Sequence, residues 1–291
     1  MKEHSTFNIQ HSTPKELSGA FPLDVERSML NVECWLLLNS GSGPAAFNMA
    51  LDEALLESMP RLGRPVLRFY GWTEPAATFG YFQKYADVER ATHLRPLIRR
   101  PTGGGIVPHD ADWTYSLVFP PGHEWHSLKA EESYRRVHEW IQKAFTKLGA
   151  TTELASCGKK STETIRRSRR EEAHSEKSET SQSLLTSAPT VVLPGQCFAG
   201  YERFDVLWHG KKIAGAAQRR NKLGLLIQGS VQSRCIGNSP SPPDWQKAMC
   251  NVGRVEFGAR WSDFALDETL RARAEFLAKQ KYSQPAFIRK R

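Results

Sequence analysis

The sequence predicts an α+β fold: a mixed, largely antiparallel sheet with flanking helices. Three observations carry that expectation. Short apolar runs rich in aromatic and branched residues recur along the chain, parted by turns that carry glycine or proline. Only a few segments show a helical period. Strands and helices interleave without internal repeats, so both must contribute to a common core.

The elements follow in order. Cys34–Leu38 is an apolar run that reads as a strand and runs into a Gly/Ser/Pro turn. Ala45–Ser58 has Met49, Leu51, Leu55 and Leu56 at helical spacing, which leaves Asp52, Glu53 and Glu57 for solvent. Val66–Tyr70 and Ala77–Tyr81 are short strands, and residues 96–100 lead a strand directly into Gly103-Gly104-Gly105. Thr114–Phe119 alternates and returns from that loop. Glu131–Leu148 is the plainest helix, with Tyr134, Val137, Ile141, Ala144, Phe145 and Leu148 on one face and Gly149 as terminator. Phe204–Trp208 and Lys212–Ala217 form a hairpin turning at His209-Gly210-Lys211, and Leu225–Val231 is the next strand. Ser262–Lys281 reads as a closing helix.

Composition bounds the rest. Residues 1–30 are polar and mixed in charge, a poorly ordered leader without a signal-type apolar stretch. Residues 158–187 are nearly devoid of apolar side chains, so they cannot offset their ordering entropy and read as a disordered insertion. The main domain then spans 31–240, and 241–291 is a helical extension of it. No run approaches the roughly 18 apolar residues of a membrane span, so the expectation is a cytoplasmic protein with no membrane partner. The net charge of +9, from 40 Lys+Arg against 31 Asp+Glu, suits an acidic protein partner. No zinc-finger or aromatic RNA-binding signature turns that charge towards nucleic acid. The five cysteines are scattered, odd in number and without CxxC pairs, so neither disulfides nor a metal site is expected.

Two distant segments carry the candidate chemistry. The first is Arg99-Arg100-Pro101-Thr102-Gly103-Gly104-Gly105, running on to His109 and Asp110. Glycines let a ligand approach the main chain, and arginines add fixed donors for phosphate, carboxylate or a thioester-linked pantetheine arm. The second segment is Cys197-Phe198, followed by Lys211-Lys212-Ile213-Ala214-Gly215-Ala216-Ala217-Gln218. A lysine at 212 on so apolar a strand must either face solvent or point into a site and find a partner, whereas Lys211 in the turn is the solvated one. Gly215 and Ala216 make room for a ligand against the backbone, although glycine in a strand also marks bulges. A cysteine is by type more often a small core residue than a nucleophile, since reactivity needs a lowered pKa.

Taken together, these residues resemble a known family. Residues 48–54, Arg99–Gly105 with His109, Lys212–Gln218 and Gln228-Gly229-Ser230 occur in the order seen in the biotin/lipoate protein ligase catalytic domain. The resemblance covers roughly Trp35–Val231 and is strongest to the octanoyltransferase branch related to lipoate-protein ligase A, because Cys197-Phe198 precedes the lysine hairpin. It implies a catalytic domain over 31–240 that resembles class II synthetases and handles an octanoyl or lipoyl chain. It implies Cys197 and Lys212 as catalytic residues, with Arg100, Thr102, Gly103, Gly104, Gly105, His109, Gly215 and Ala216 around the acyl group. The donor would be octanoyl-acyl carrier protein, the acceptor a lipoyl domain or glycine cleavage H protein, and no cofactor would be needed. Three alternatives share the fold: an ATP- and Mg-dependent lipoate ligase, an octanoyl amidotransferase between lipoyl domains, and a non-catalytic binder of lipoyl domains. The chain departs from the branch in having Tyr201-Glu202 where Pro-Ser is usual, and Gln228-Gly229-Ser230 where His-Gly-Ser is usual.

Overall fold

The computed structural model describes residues 33–157, 200–236 and 240–290. The expected leader, the expected insertion and Cys197 lie outside the described residues.

Strand β1 (Cys34–Gly43) and β2 (Val66–Trp72) run parallel, with Leu36 opposite Val66. Parallel neighbours need a crossover, and α1 (Ala45–Leu62) supplies it. The helix runs a turn beyond its expected end and stops at Gly63, whose φ of 61° and N–H to the Met59 carbonyl form a left-handed cap. The chain then builds a small sheet from β3 (Ala76–Phe79), β4 (Leu97–Arg99) and β5 (Val107–His109), with α2 (Tyr85–Ala91) between β3 and β4. Its order is β4-β3-β5, parallel then antiparallel.

The large sheet continues with β6 (Trp113–Phe119), and α3 (Ala130–Lys147) follows. β7 (Glu153–Leu154), β8 (Val206–Trp208), β9 (Lys211–Asn221) and β10 (Gly224–Val231) complete its antiparallel half. The turn between β8 and β9 is His209-Gly210, with φ of 49° and 72°, which fits a tight primed hairpin. With the edge strand β11 (Arg260–Asp263) included, the strand order is β11-β1-β2-β6-β10-β9-β8-β7, a mixed sheet as expected. Neighbouring residues on one strand face opposite layers, so Trp35, Leu67, Phe119 and Leu225 pack with α3. Leu36, Val66, Val118 and Leu226 pack with α1.

The C-terminal part corrects the sequence reading. Ser262 belongs to β11 (Arg260–Asp263), an edge strand parallel to β1. The helix that follows, α5, starts only at Glu268, runs to Leu277 and continues as a π-helical turn over Ala278–Tyr282, so the expected end holds and the expected start does not. β11 is polar and partly exposed, so no apolar alternation announced it. A helix not expected from its period, α4 (Pro242–Phe257), precedes it. The extension over 241–291 is therefore mostly helical but contributes a strand to the main sheet. Among the described residues, no helix is long and apolar enough to cross a membrane.

Candidate active site

A cavity opens where the small sheet faces the large one. Its lining combines Met49 of α1, Tyr70 of β2, Thr78 of β3, Val107 and His109 of β5, and Thr114 of β6. Arg100 and Gly104 close one side, and Gly215, Ala216 and Ala217 of β9 with Gln228, Gly229 and Ser230 of β10 form the other. The two small-residue runs are paired strand to strand: Gly215 opposite Ser230, Ala216 opposite Gly229 and Ala217 opposite Gln228. Small side chains at five of these six positions leave a slot against the backbone, while a Cβ at Gly229 would sit 2.2 Å from the Tyr115 ring. Arg100, Gly104, His109, Gly215 and Ala216 thus share one cavity, as the sequence suggested. Thr102, Gly103 and Gly105 do not line it but bond to residues that do, Thr102 to Gln228 and the two glycine carbonyls to Arg100.

The glycine loop is held from several directions. Arg100 donates to the carbonyls of Gly103 (2.5 Å) and Gly105 (2.8 Å), so its guanidinium braces the loop from the cavity side. Gly104 has φ of 85°, and a Cβ there would meet that guanidinium at 2.7 Å. Gly80 lies so close behind that a Cβ would fall 2.0 Å from the Gly104 carbonyl oxygen. Arg99 points the other way, as alternation on β4 requires, and donates to the carbonyls of Tyr81, Gln83, Phe287 and Ile288. It fastens the C-terminal turn to the small sheet and takes no place in the cavity, contrary to the reading of both arginines as ligand donors.

The residues assigned to solvent on α1 are the larger correction. Asp52 is fully buried and accepts from Arg68 (2.6 Å), Ser116 (2.8 Å), Gln228 (2.7 Å) and Tyr70 (3.2 Å). Burial and the Asp52 charge hold the Tyr70 phenol well above its ordinary pKa, so it stays a donor. Gln228 in turn accepts from the Thr102 hydroxyl at 2.7 Å. A single carboxylate therefore ties the helix, three strands and the glycine loop together. Glu53 is also buried, bound by Lys281, Arg219 and Tyr282. Burial alone would raise its pKa, but these partners outweigh that and lower it.

Lys212 is buried and forms an ion pair of 2.7 Å with the fully buried Asp205. The register of β8 against β9 shifts between Lys212 and Ala214, a bulge that re-aims the lysine. The bulge brings its end over Gly215, where a Cβ would meet Lys212 Cε at 2.7 Å and Nζ at 2.8 Å. Asp205 also accepts from the Tyr134 hydroxyl (2.5 Å) and the Glu202 N–H (2.7 Å). It follows Phe204, a bulky residue at φ 71° in a tight turn, a strained placement typical of functional sites. Beneath this pair His138 donates through Nδ1 to the Tyr134 carbonyl, and burial pushes its pKa down to about 4. Lys211 is exposed, as expected.

His109 completes the wall. Its ring stacks on Trp72 at 3.8 Å, its Nδ1 lies 2.8 Å from Asp112 Oδ2 and its Nε2 lies 2.8 Å from Thr78 Oγ1. Asp112 Oδ2 also accepts from Ser230 (2.6 Å) and Thr114 (3.1 Å). Neither Asp112 nor Thr78 was singled out from the sequence, where isolated polar residues beside strands carry no signal of their own. Asp110, by contrast, is on the surface and pairs with Arg234.

A mixed sheet with a glycine loop and a small-residue slot beside a buried lysine fits a lipoate-ligase-type catalytic domain. The fold superposes on a lipoate-protein ligase A bound with ATP at a TM-score of 0.61 and 20% identity, covering 88% of this chain and 98% of that one. A bipartite lipoate protein ligase from Thermoplasma acidophilum, from an archaeal lipoylation system with an E2 lipoyl domain, gives 0.60 and 18%, covering 89% and 96%. The profile of the lipoyl protein ligase A/B catalytic domain matches residues 44–236, and the chain belongs to that family. Similar curated relatives are the octanoyltransferase LipM of Geobacillus kaustophilus (35% identical over 205 residues) and that of Bacillus subtilis (35% over 206). Each alignment covers 68% of this chain and 65% of the relative, so the chain spans about 65% of the length of the relatives it matches.

Proposed function

We propose that this protein transfers an octanoyl group from acyl carrier protein to a lysine of a lipoyl domain or glycine cleavage H protein. The observation that carries the reading is Lys212: a buried cation, fixed by Asp205, laid over Gly215 in the wall of a small-residue slot. An acyl chain suits the slot, and a fixed positive charge suits the oxygen of a thioester carbonyl. The names of the curated relatives support the same chemistry.

In this reaction the Cys197 thiolate attacks the thioester carbonyl, and the carrier thiolate leaves with the C–S electron pair. Lys212 stabilises negative charge on the carbonyl oxygen in each tetrahedral intermediate. The acceptor amine then forms the C–N bond as the C–S bond to Cys197 breaks. Thioester to amide is downhill, so neither ATP nor a metal is required. The +9 charge would steer acidic carrier and lipoyl domains to the surface.

The test is an ATP-free transfer assay with octanoyl-acyl carrier protein and an unmodified lipoyl domain. Octanoyl amide should form without ATP, and Lys212→Ala should slow it by 100-fold or more. Modification that requires ATP and a free acid would instead assign the site to a ligase.

A further inference from the structure

Phe82 is 70% exposed, the most exposed large apolar side chain among the described residues. It sits in the turn between β3 and α2, and that turn is held rigidly. The Gln83 N–H donates to the Gly80 carbonyl (3.0 Å), and the Gly80 N–H donates to the Gln83 side chain (2.9 Å). The Tyr81 N–H donates to the Thr102 carbonyl (2.9 Å), while Arg99 grips the carbonyls of Tyr81 and Gln83. A ring held out in water by so preorganised a turn loses little entropy when a partner covers it.

Cations surround the ring. Lys84, Arg289 and Lys290 are all exposed. The Tyr81 ring lies 5.2 Å from that of Phe82, and Lys290 Nζ donates to the Tyr81 hydroxyl at 3.2 Å. Arg289 lies over Tyr85, 5.1 Å from the ring centre. The carboxylates of α2 on this side are already engaged, Asp87 with Arg90 and Glu89 with the Tyr85 hydroxyl. Aromatic side chains with arginine beside them are what binding hot spots are made of, and the charge suits an acidic partner.

The turn also borders the slot. A Cβ on Gly80 would fall 2.0 Å from the Gly104 carbonyl oxygen, and Gly104 is exposed while also lining the slot. Gly104 therefore marks the mouth, with the Phe82 turn against it. Reach decides which partner belongs here. At about 1.25 Å of advance per single bond, a lysine side chain extends only about 6 Å from its Cα, so the domain that offers it must dock against the mouth itself. A carrier that delivers its acyl group on a long pantetheine arm is under no such constraint.

We propose that the Phe82 turn, with Arg289 and Lys290 beside it, is the docking surface for the acidic acceptor domain whose lysine receives the acyl group. The identity of the partner rests on the acyl-transfer reading. Phe82 buries against an apolar patch of that domain, and the two cations meet its carboxylates.

The experiment measures docking apart from chemistry. An isotope-labelled, unmodified lipoyl domain is titrated with the full-length protein and followed by NMR, without any acyl donor, for wild type, Phe82→Ala and Lys290→Glu. Phe82→Ala should raise Kd roughly tenfold and Lys290→Glu several-fold, and added salt should weaken wild type more than Lys290→Glu. In the transfer assay Phe82→Ala should raise KM for the lipoyl domain about tenfold at unchanged kcat, while octanoyl-enzyme forms from acyl carrier protein at the wild-type rate. Wild-type affinity in both variants overturns the docking surface, as does slower acylation by the carrier with lipoyl-domain binding intact. Absence of lipoyl-domain binding by wild type overturns it too, while octanoyl-enzyme formation reports separately on the acyl-transfer reading. Docking that depends on Phe82 without any octanoyl-enzyme keeps the surface and strikes that reading. Should Phe82→Ala lower the melting temperature, the charge reversal at the exposed Lys290 gives the same comparison.

Discussion

Two buried ion pairs frame the cavity, and they are built for different ends. Arg68–Asp52 is saturated from within: Arg68 also donates to the Ser40 hydroxyl, the Asn48 carbonyl and the Asn48 side chain, and stacks on Tyr70. Its partners come from β1, β2, β6, β10 and α1, and Tyr70 and Gln228 screen it from the slot that they line. Lys212–Asp205 is anchored on one side by Tyr134 and the Glu202 amide and abuts the slot on the other. Equal burial does not mean equal role. What distinguishes the pairs is whether the charge ends in a closed network or against a space that a substrate can fill.

The largest effect should come from breaking the closed pair. Arg68→Met leaves Asp52 buried with an uncompensated charge, and a loss of about 3–5 kcal/mol is expected in the denaturant midpoint. Lys212→Ala should show the reverse profile, a fall in transfer rate of 100-fold or more at substrate saturation with a smaller loss of stability. Similar destabilisation by both, with activity retained in the lysine variant, would erase the distinction.

Gly215→Ala sharpens it. The new methyl must displace the lysine end rather than backbone, so the protein should fold while transfer falls about tenfold, equivalent to about 1.4 kcal/mol in the barrier. Measuring kcat and KM separately would place the loss in kcat.

The smallest effect is in pH dependence beneath the second pair. His138 has a folded pKa near 4, below its ordinary 6.5, because burial disfavours its charged form. The unfolded chain therefore takes up a proton that the folded chain refuses as the pH falls from 6.5 towards 4. Stability should drop across that window, by up to about 1.4 kcal/mol per pH unit from this group. His138→Gln should flatten the slope in urea titrations at stepped pH.

Much of the framework was legible because its signals are local. Arg100, the three glycines and the Gly215-Ala216-Ala217 strand announced a slot by residue type and spacing, and helix α3 announced itself by its period. Asp52 and Glu53 were misread because a carboxylate on a helix looks solvated until its partners are known. Arg68 lies 16 residues away and Lys281 lies 228 away. Thr78 and Asp112 escaped for a similar reason: Thr78 meets His109 from a neighbouring strand 31 residues away, and Asp112 lies in the turn beyond it. Helix α4 did carry a readable start, with Ser241 capping the Asp244 amide and proline in the first turn. Strand β11 did not, because an edge strand of Arg, Trp, Ser and Asp shows no alternation.

The central claim is that the slot beside Lys212 serves a covalent acyl transfer. It is tested most directly by intact-mass spectrometry of the protein mixed with octanoyl-acyl carrier protein in the absence of ATP, alongside Cys197→Ser. The account predicts a gain of one octanoyl group on wild type and none on the variant. An unmodified wild-type protein, or an equal gain on both, would contradict it.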